Sequence, residues 1–247
     1  MPRRPLRISS GSLGIAVSSL SSPVGDSYLL VPAGGQGLRL GGGVPKQFRL
    51  WGGRPLLKAT LEAFFGAGMP CLAGIALAVP PDRLEEVRAW RFPVPLWAVP
   101  GGATRQASVK AALEALPTER DLPVMIHDGV RPFPPPGPIR MALAALESWD
   151  GALLGEPSTD TLKRVDGEGQ VLSTEPRAEI FRAQTPQIAR LSTWRKAFQW
   201  AQDQGFEGTD DVSVLEALGL RVKLVEAPTS NAKLTTPEDW DRLVPQG

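Results

Sequence analysis

The chain has 247 residues, with 27 Lys or Arg against 26 Asp or Glu, so it lacks the global basic field of a nucleic-acid-binding protein. This length suits one large α/β domain. A single cysteine, Cys71, excludes an intramolecular disulfide and a cysteine-based metal site, and a single histidine, His127, excludes triads and zinc centres that need several imidazoles.

The first 26 residues differ from the rest of the chain. Arg3, Arg4 and Arg7 precede a Ser/Gly-rich stretch, residues 8–22, whose apolar character is interrupted by serines. This pattern predicts a disordered leader, or a start codon placed too early, rather than a signal peptide. Residues 27–247 are then expected to form a single domain. The sequence has no apolar run long enough for a transmembrane helix, and we expect a cytoplasmic protein.

A predicted strand, Tyr28 to Val31, opens into a glycine-rich loop. Glycine occurs at positions 34, 35, 37, 41, 42 and 43, and two cations, Arg39 and Lys46, lie among these small residues. Glycine lets backbone N–H groups approach an anion closely. The spacing fits neither the P-loop nor the dinucleotide fingerprint, and a plain surface loop remains an alternative. Our hypothesis is that the loop holds a nucleoside triphosphate.

Strands and helices alternate along the chain. The pattern predicts strands at 72–79, 94–99, 123–126, 152–154 and 222–225, and helices at 55–65, 82–90 (with Asp82 as cap), 104–116, 139–146, 191–202, 212–218 and from Pro237. This order predicts a doubly wound α/β fold, with a mostly parallel sheet and helices on both faces.

The stretch from about 157 to 187 breaks the alternation. Residues 161–165 and 170–174 alternate around the turn at 166–169, which predicts a β-hairpin. An isolated two-stranded hairpin is marginal in water unless it packs on something. The stretch is therefore a candidate dimerisation arm, and a solvated excursion that pairs with nothing is the alternative.

Polar clusters follow three of the predicted strands, at 33–46, 101–108 and 127–131. Ligands of open α/β sheets bind at the carboxyl ends of strands, so these clusters are expected to converge. Asp128 is a candidate magnesium ligand, or a turn residue before Gly129. Arg131 could reach a hydroxyl or a phosphate, or form a surface salt bridge. His127 is typical of a buried, hydrogen-bonded residue at a strand end rather than a catalytic base.

Three cations suggest the chemistry of such a site. Arg39, Lys46 and Lys233 could surround a transferring phosphoryl group and stabilise the charge that builds on its oxygens. The sequence suggests no pair of nucleophile and base. A substrate that brings its own nucleophile agrees with this pattern.

Seven ordered segments, across about residues 28 to 244, carry a resemblance to a known family. They are Pro32-Ala33-Gly34-Gly35-Gln36-Gly37-Leu38-Arg39 with Pro45-Lys46-Gln47; Gly101-Gly102-x-x-Arg105-x-x-Ser108-Val109; 127–132 (His-Asp-Gly-Val-Arg-Pro); 160–164 (Asp-Thr-Leu-Lys-Arg); 185–187 (Thr-Pro-Gln); Thr209-Asp210-Asp211-x-Ser213; and 231–239 (Asn-Ala-Lys-Leu-Thr-Thr-Pro-Glu-Asp). In this order they resemble 2-C-methyl-D-erythritol 4-phosphate cytidylyltransferase of the non-mevalonate isoprenoid pathway.

The resemblance implies a Rossmann-like nucleotidyltransferase fold, a homodimer joined through the arm, and a magnesium-dependent reaction of CTP with methylerythritol 4-phosphate. By position, Arg39 and Lys46 would stabilise the transition state, Lys233 would hold phosphates on the substrate side, and Asp128 would bind magnesium. The remaining assignments are Pro32, Ala33, Gly34, Gly102 and Ser108 to cytosine; Gly35 and Gly37 to the triphosphate; Gly129 and Arg131 to the ribose; and Thr161, Thr185, Thr209 and the partner's Arg177 to methylerythritol phosphate.

Some features depart from the family pattern or leave alternatives open. Ala103 stands where an acidic residue is common, which could loosen base selectivity, and Ser230 leaves no carboxylate beside Asn231 for a second metal contact. The length leaves no room for a fused cyclase domain. A ribitol 5-phosphate cytidylyltransferase remains the nearest alternative. A nucleotide-sugar glycosyltransferase or a noncatalytic nucleotide-binding module is less favoured, because Asp128-Gly129-Val130 is not a DxD motif.

Overall fold

The computed structural model describes residues 26–35, 44–236 and 238–240. Its strands are β1 (Ser27–Pro32), β2 (Leu50–Trp51), β3 (Arg54–Pro55), β4 (Leu72–Val79), β5 (Leu96–Pro100), β6 (Pro123–Ile126), β7 (Gly151–Pro157), β8 (Lys163–Val165), β9 (Val171–Thr174), β10 (Phe181–Arg190) and β11 (Val222–Glu226). Its α-helices are α1 (Leu56–Ala63), α2 (Leu84–Arg88), α3 (Arg105–Ala115), α4 (Pro136–Ala145), α5 (Leu191–Gln204) and α6 (Val212–Ala217).

Seven strands form the central sheet, in the order β11-β7-β10-β6-β1-β4-β5. Strand β10 is antiparallel to both β6 and β7, and the other neighbours are parallel. The predicted mostly parallel α/β fold is therefore confirmed. The sequence did not reveal β10, because its polar residues and Pro186 obscure the strand pattern.

The excursion from the sheet is shorter than the predicted arm. Strand β10 begins at Phe181 and pairs with β7, so residues 181–187 belong to the sheet. Residues 158–180, called the arm below, contain the predicted hairpin as β8 and β9, which pair with each other in a separate two-stranded sheet.

The sheet is covered by helices on both faces. In β4, Ile75 and Leu77 face one apolar cluster and Ala76 and Ala78 face the other, as alternation along a strand requires. The first cluster includes buried residues of α1, α2 and α4, and the second includes buried residues of α3, α5 and α6. The uninterrupted apolar run of β4 is thus explained by burial on two sides.

The two helix starts on either side of β5 differ in their caps. Thr104 caps α3, since its Oγ1 accepts a hydrogen bond from the Ala107 amide at 3.1 Å. The prediction that Asp82 caps the preceding helix is wrong, because residues 81–83 form a 3-10 turn that begins with Pro81, and α2 starts at Leu84 without a side-chain cap.

Two predicted segments lie wholly or partly outside the described residues: the leader and the closing helix. Of the latter, residues 238–240 are helical, and the predicted cap is present because Thr236 Oγ1 accepts from the Asp239 amide at 3.3 Å. Among the residues described, no helix combines the length and the apolarity that crossing a bilayer demands.

Candidate active site

The polar segments that follow β1, β5 and β6 converge, as predicted, on one pocket of about 680 Å³ at the carboxyl edge of the sheet. The pocket is lined by Pro32, Ala33, Gly34, Gly35, Lys46, Gln47, Gly102, Ala103, Thr104, Arg105, Ser108, Asp128, Gly129, Val130, Lys233 and Thr235. This list includes most residues predicted for the nucleotide and for the chemistry. Gly37 and Arg39 lie outside the described residues.

One wall is formed by a close approach of two glycine segments. A Cβ atom on Gly101 would lie 2.7 Å from the Cα of Gly34, so neither segment has room for a side chain at this contact. Ser108 fixes the adjoining turn, since its Oγ accepts from the Gly102 amide at 3.1 Å and donates to the Thr104 carbonyl at 3.0 Å. The wall is therefore backbone, with its geometry set by one buried hydroxyl.

Gln47 anchors the described start of the glycine loop. Its Nε2 donates to the carbonyls of Ala33 at 2.7 Å and Gly35 at 2.8 Å. Lys46, one residue earlier, begins a short 3-10 turn and reaches the pocket lining. The sequence analysis quoted Gln47 only as part of a motif. Its position directly after the glycine run was the available signal for this anchoring role.

Asp128 is the carboxylate of the pocket and is surrounded by three cations. Its Oδ2 lies 3.0 Å from Lys233 Nζ and 3.2 Å from Arg131 Nε, and its Oδ1 lies 3.3 Å from Arg105 Nη2. Burial alone would raise the pKa of Asp128, but Lys233, Arg105 and Arg131 together hold it well below its usual range. Asp128 is therefore ionised at neutral pH.

His127 forms the buried floor beneath Asp128. Its Nε2 lies 3.0 Å from the Arg131 carbonyl, which can only accept, so Nε2 carries the proton. Its Nδ1 then accepts from Thr185 Oγ1 at 3.1 Å, and that hydroxyl accepts from the Asp128 amide at 3.0 Å. Burial lowers the pKa of His127 to about 4. The interpretation of His127 as a structural residue is confirmed, and Thr185 lies in this floor rather than on the pocket lining.

Arg131 also lies behind the pocket rather than on its lining. Besides Asp128, it contacts the Asn231 carbonyl, to which Nη1 donates at 2.7 Å. The sequence predicted a place near the ribose, or a surface salt bridge. The structure instead buries the side chain, because the guanidinium joins the strand-end segment to the loop that carries Lys233.

Two contacts fasten the loop around Lys233. On one side, Asn231 is fully buried and its Nδ2 donates to the Thr185 carbonyl at 2.8 Å. On the other, the Leu234 amide donates to the Val130 carbonyl at 2.9 Å. Lys233 is thereby held over Asp128, although its side chain is half-exposed.

Arg105 and Asp211 were quoted as motif residues but were given no role. Arg105 lines the pocket at the first turn of α3, and its Nη1 forms an ion pair with Asp211 Oδ1. Asp211 is buried, and burial raises its pKa even though Arg105 opposes the shift. Arg105 therefore connects two carboxylates that are far apart in sequence.

The residues predicted for the acceptor substrate are not brought together within one chain. Thr161, Arg177 and Thr209 are exposed and are absent from the pocket lining. Arg177 donates to the Thr159 carbonyl at 3.3 Å, which keeps it on the arm. If these residues act at a pocket, at least the arm residues must come from elsewhere.

The donor set decides which kind of magnesium site is compatible with the pocket. No group of three or more His, Cys, Asp or Glu side chains is arranged for a metal in the described part of the chain. Among the lining residues described, Asp128 is the only carboxylate. Magnesium held by one carboxylate, waters and phosphate oxygens needs no more than this. The residues thus fit a cation that arrives with a triphosphate rather than a cage built by the protein.

Comparison with known proteins identifies relatives of the whole domain. A family model described as 2-C-methyl-D-erythritol 4-phosphate cytidylyltransferase matches residues 28–243. A protein of that name from Xanthomonas campestris pv. campestris (strain B100) is 40% identical over 231 residues, which cover 89% of this chain and 83% of that protein. A bifunctional enzyme from Bradyrhizobium sp. (strain ORS 278) is 41% identical over 218 residues, 86% of this chain. The match spans only 54% of the bifunctional relative.

Solved structures agree with this assignment. The crystal structure titled as 4-diphosphocytidyl-2C-methyl-D-erythritol synthase from Anaerococcus prevotii superimposes with a TM-score of 0.77 at 26% identity, covering 89% of this chain and 96% of that one. The sheet and the pocket edge described above therefore belong to a shared architecture.

Proposed function

Because the chain belongs to the 2-C-methyl-D-erythritol 4-phosphate cytidylyltransferase family, we propose that it converts CTP and methylerythritol 4-phosphate to 4-diphosphocytidyl-methylerythritol and pyrophosphate, in isoprenoid precursor biosynthesis. One observation of the structure carries the proposal. The pocket combines a backbone wall of glycines with three lining cations, Lys46, Arg105 and Lys233, around the single lining carboxylate of the described residues. Such a pocket suits a triphosphate that brings its own cation.

The proposed reaction is an in-line displacement. An oxygen of the substrate phosphate attacks the α-phosphorus of CTP, one P–O bond forms, and the bond to the β-phosphate oxygen breaks to release pyrophosphate. A phosphate monoester is largely ionised near neutral pH and needs no general base to attack. This agrees with a pocket whose floor histidine, His127, is buried and neutral.

The cations supply the electrostatic part of the catalysis. In this proposal Lys46 and Arg39 stabilise charge on the α-phosphate oxygens as the new bond forms. Lys233 holds phosphate on the acceptor side, and its ion pair with Asp128 keeps it at the pocket until substrate arrives. Asp128 would be the protein ligand of magnesium, which when bound neutralises charge on the triphosphate.

The glycine wall is proposed to hold the nucleoside. Backbone groups of Pro32, Ala33, Gly34 and Gly102 can come close to a flat base, because Gly34 and Gly101 already touch backbone to backbone. Gly35 and Gly37 are assigned to the triphosphate and Gly129 to the ribose. For Arg131 and Ser108 the contacts described above support a different role from direct ligand binding, namely fixing Asp128 and the Gly102 turn.

A homodimer through the arm completes the proposal. Thr161 and Arg177 are exposed and absent from the pocket lining of their own chain. An arm that reaches a second copy would bring the partner's Arg177 to the acceptor side of the pocket. Exposed apolar residues on the arm, Val165, Val171 and Leu172, support such a contact. A cytoplasmic location goes with this proposal.

The function is tested with purified protein, CTP, magnesium and methylerythritol 4-phosphate. We expect pyrophosphate release that requires all three additions, with the cytidine diphosphate diester identified by phosphorus NMR. Ribitol 5-phosphate serves as the matched acceptor control. Release with ribitol 5-phosphate alone would contradict the acceptor and retain the cytidylyltransferase class, and release with neither acceptor would contradict both.

A further inference from the structure

The Arg105 side chain lies between two buried carboxylates. Its Nη1 pairs with Asp211 Oδ1, and its Nη2 lies 3.3 Å from Asp128 Oδ1. The second distance is longer than an ordinary charge-assisted N–H···O contact. The guanidinium is therefore shared unequally, with its closer contact to Asp211.

Asp211 is fixed in place as the partner of Arg105. The Val212 amide, next in the chain, donates to Gln187 Oε1 at 2.8 Å, which fastens the start of α6 to β10. Asp211 itself is 2% exposed, and its Oδ2 has no hydrogen-bond donor among the residues described. A buried carboxylate with one free oxygen attracts the guanidinium strongly, because the pair is shielded from water.

The two oxygens of Asp128 differ in how tightly they are held. Oδ2 is contacted by both Lys233, at 3.0 Å, and Arg131, at 3.2 Å. Oδ1 has the longer contact with Arg105. Oδ1 is thus the oxygen that a divalent cation can reach with least rearrangement, and Arg105 is the group that would compete for it.

We propose that Asp211 is a positioning residue: by holding Arg105, it prevents the guanidinium from closing on Asp128 and leaves Asp128 Oδ1 available to a divalent cation. The inference rests on the proposed function, in which a cation arrives with CTP. Without the Asp211 carboxylate, Arg105 can turn both terminal nitrogens to Asp128, since a guanidinium pairs with a carboxylate bidentately.

The test measures binding rather than turnover. Manganese is titrated into protein and CTP without acceptor, and bound manganese is followed by electron paramagnetic resonance. Asp211→Asn is expected to weaken manganese binding about tenfold, which is typical of coupled neighbours. In the Arg105→Gln background the same substitution is expected to have no effect, because the competing guanidinium is gone.

A matched control is available on the same helix. Glu114 on α3 forms an exposed ion pair with Lys110, so Glu114→Gln removes a carboxylate from an arginine-free pair. Its manganese affinity should equal that of the parent protein. Thermal unfolding of every variant shows whether each is folded.

The outcomes separate the inference from the proposed function. Equal losses from Asp211→Asn in both backgrounds would show a structural role and overturn the inference. Parent protein that binds manganese and CTP, with Asp211→Asn unchanged, overturns the inference alone. No binding by the parent protein overturns both. If Asp211→Asn does not fold, Arg105→Gln decides, because it should bind manganese at least as tightly as the parent, and weaker binding contradicts the competition.

Discussion

The pocket and the arm are built in opposite ways. Around Asp128, buried polar groups find partners inside the chain, including Arg105, Arg131 and Lys233. On the arm, Val165, Val171 and Leu172 are 51%, 57% and 58% exposed, and β8 and β9 pair only with each other. A single chain thus encloses its pocket but leaves the arm uncovered.

This difference indicates where each region obtains its stability. The pocket residues are oriented before any ligand arrives, which is what electrostatic catalysis requires. An exposed two-stranded hairpin is marginal by itself. Changes in the pocket are therefore expected to alter chemistry and folding of one chain, whereas changes on the arm should alter assembly.

The largest expected effect is on turnover. Lys46→Ala should lower kcat by about 100- to 1,000-fold, as for other single donors to developing charge, with a smaller change in KM for CTP. Steady-state pyrophosphate release measures both parameters. Lys110→Ala, an exposed lysine of α3 paired with Glu114, is the matched control and should not change kcat. An unchanged kcat in Lys46→Ala would remove Lys46 from the chemistry.

The second effect is a pH dependence of stability. Burial lowers the pKa of His127 from 6.5 to about 4, so between these values the unfolded chain binds a proton that the folded chain does not. Stability should therefore fall as pH decreases through this window, by about 3 kcal/mol in total. Asp211, whose pKa is raised, acts in the opposite sense and is present in both proteins compared below.

The measurement is urea unfolding of the parent protein and His127→Gln at pH 7 and at pH 4.5. The parent should lose more free energy of unfolding between the two pH values than the variant. Equal losses would show that His127 is not buried in its neutral form. The comparison uses differences, so a general destabilisation of His127→Gln does not affect it.

Sequence reasoning succeeded where a local pattern determines the structure. The apolar run of β4, the cap at Thr104 and the convergence of strand-end segments were all predictable, because burial and capping depend on nearby residues. Strand β10 was missed because polar residues and Pro186 occupy a central strand. That placement depends on neighbours distant in sequence, which no local periodicity reveals.

The same limit applies to the site. Asp128 and Lys233 were predicted to act at one place, and they form an ion pair. The partnership of Arg105 with Asp211 spans more than a hundred residues and was not foreseen. Arg131 was assigned to the ligand because sequence alone does not show which side of Asp128 a guanidinium occupies.

A third prediction concerns the loop that carries Lys233. Asn231→Ala removes the Nδ2 group that donates to Gln184 Oε1 and to the Thr185 carbonyl, each at 2.8 Å, and leaves two buried acceptors unsatisfied. The free energy of unfolding should fall by about 2 kcal/mol. Chemical denaturation measures this. Ser230→Ala, at the exposed neighbouring position, should change it by less than about 0.5 kcal/mol. Equal effects of the two variants would contradict the anchoring role of Asn231.

The smallest effect on the single chain, and the sharpest contrast with the pocket, is expected on the arm. Leu172→Ser should change the free energy of unfolding of one chain by no more than about 0.5 kcal/mol, because the side chain is already exposed. If the arm covers a second copy, the same substitution removes apolar contact area from that interface and shifts sedimentation toward the monomer. Met141→Ser, on α4 and 64% exposed, is the matched control and should leave the sedimentation unchanged. A parent protein that sediments as a monomer at every concentration would show that the arm stays solvated. The partner's Arg177 would then have no route to the pocket.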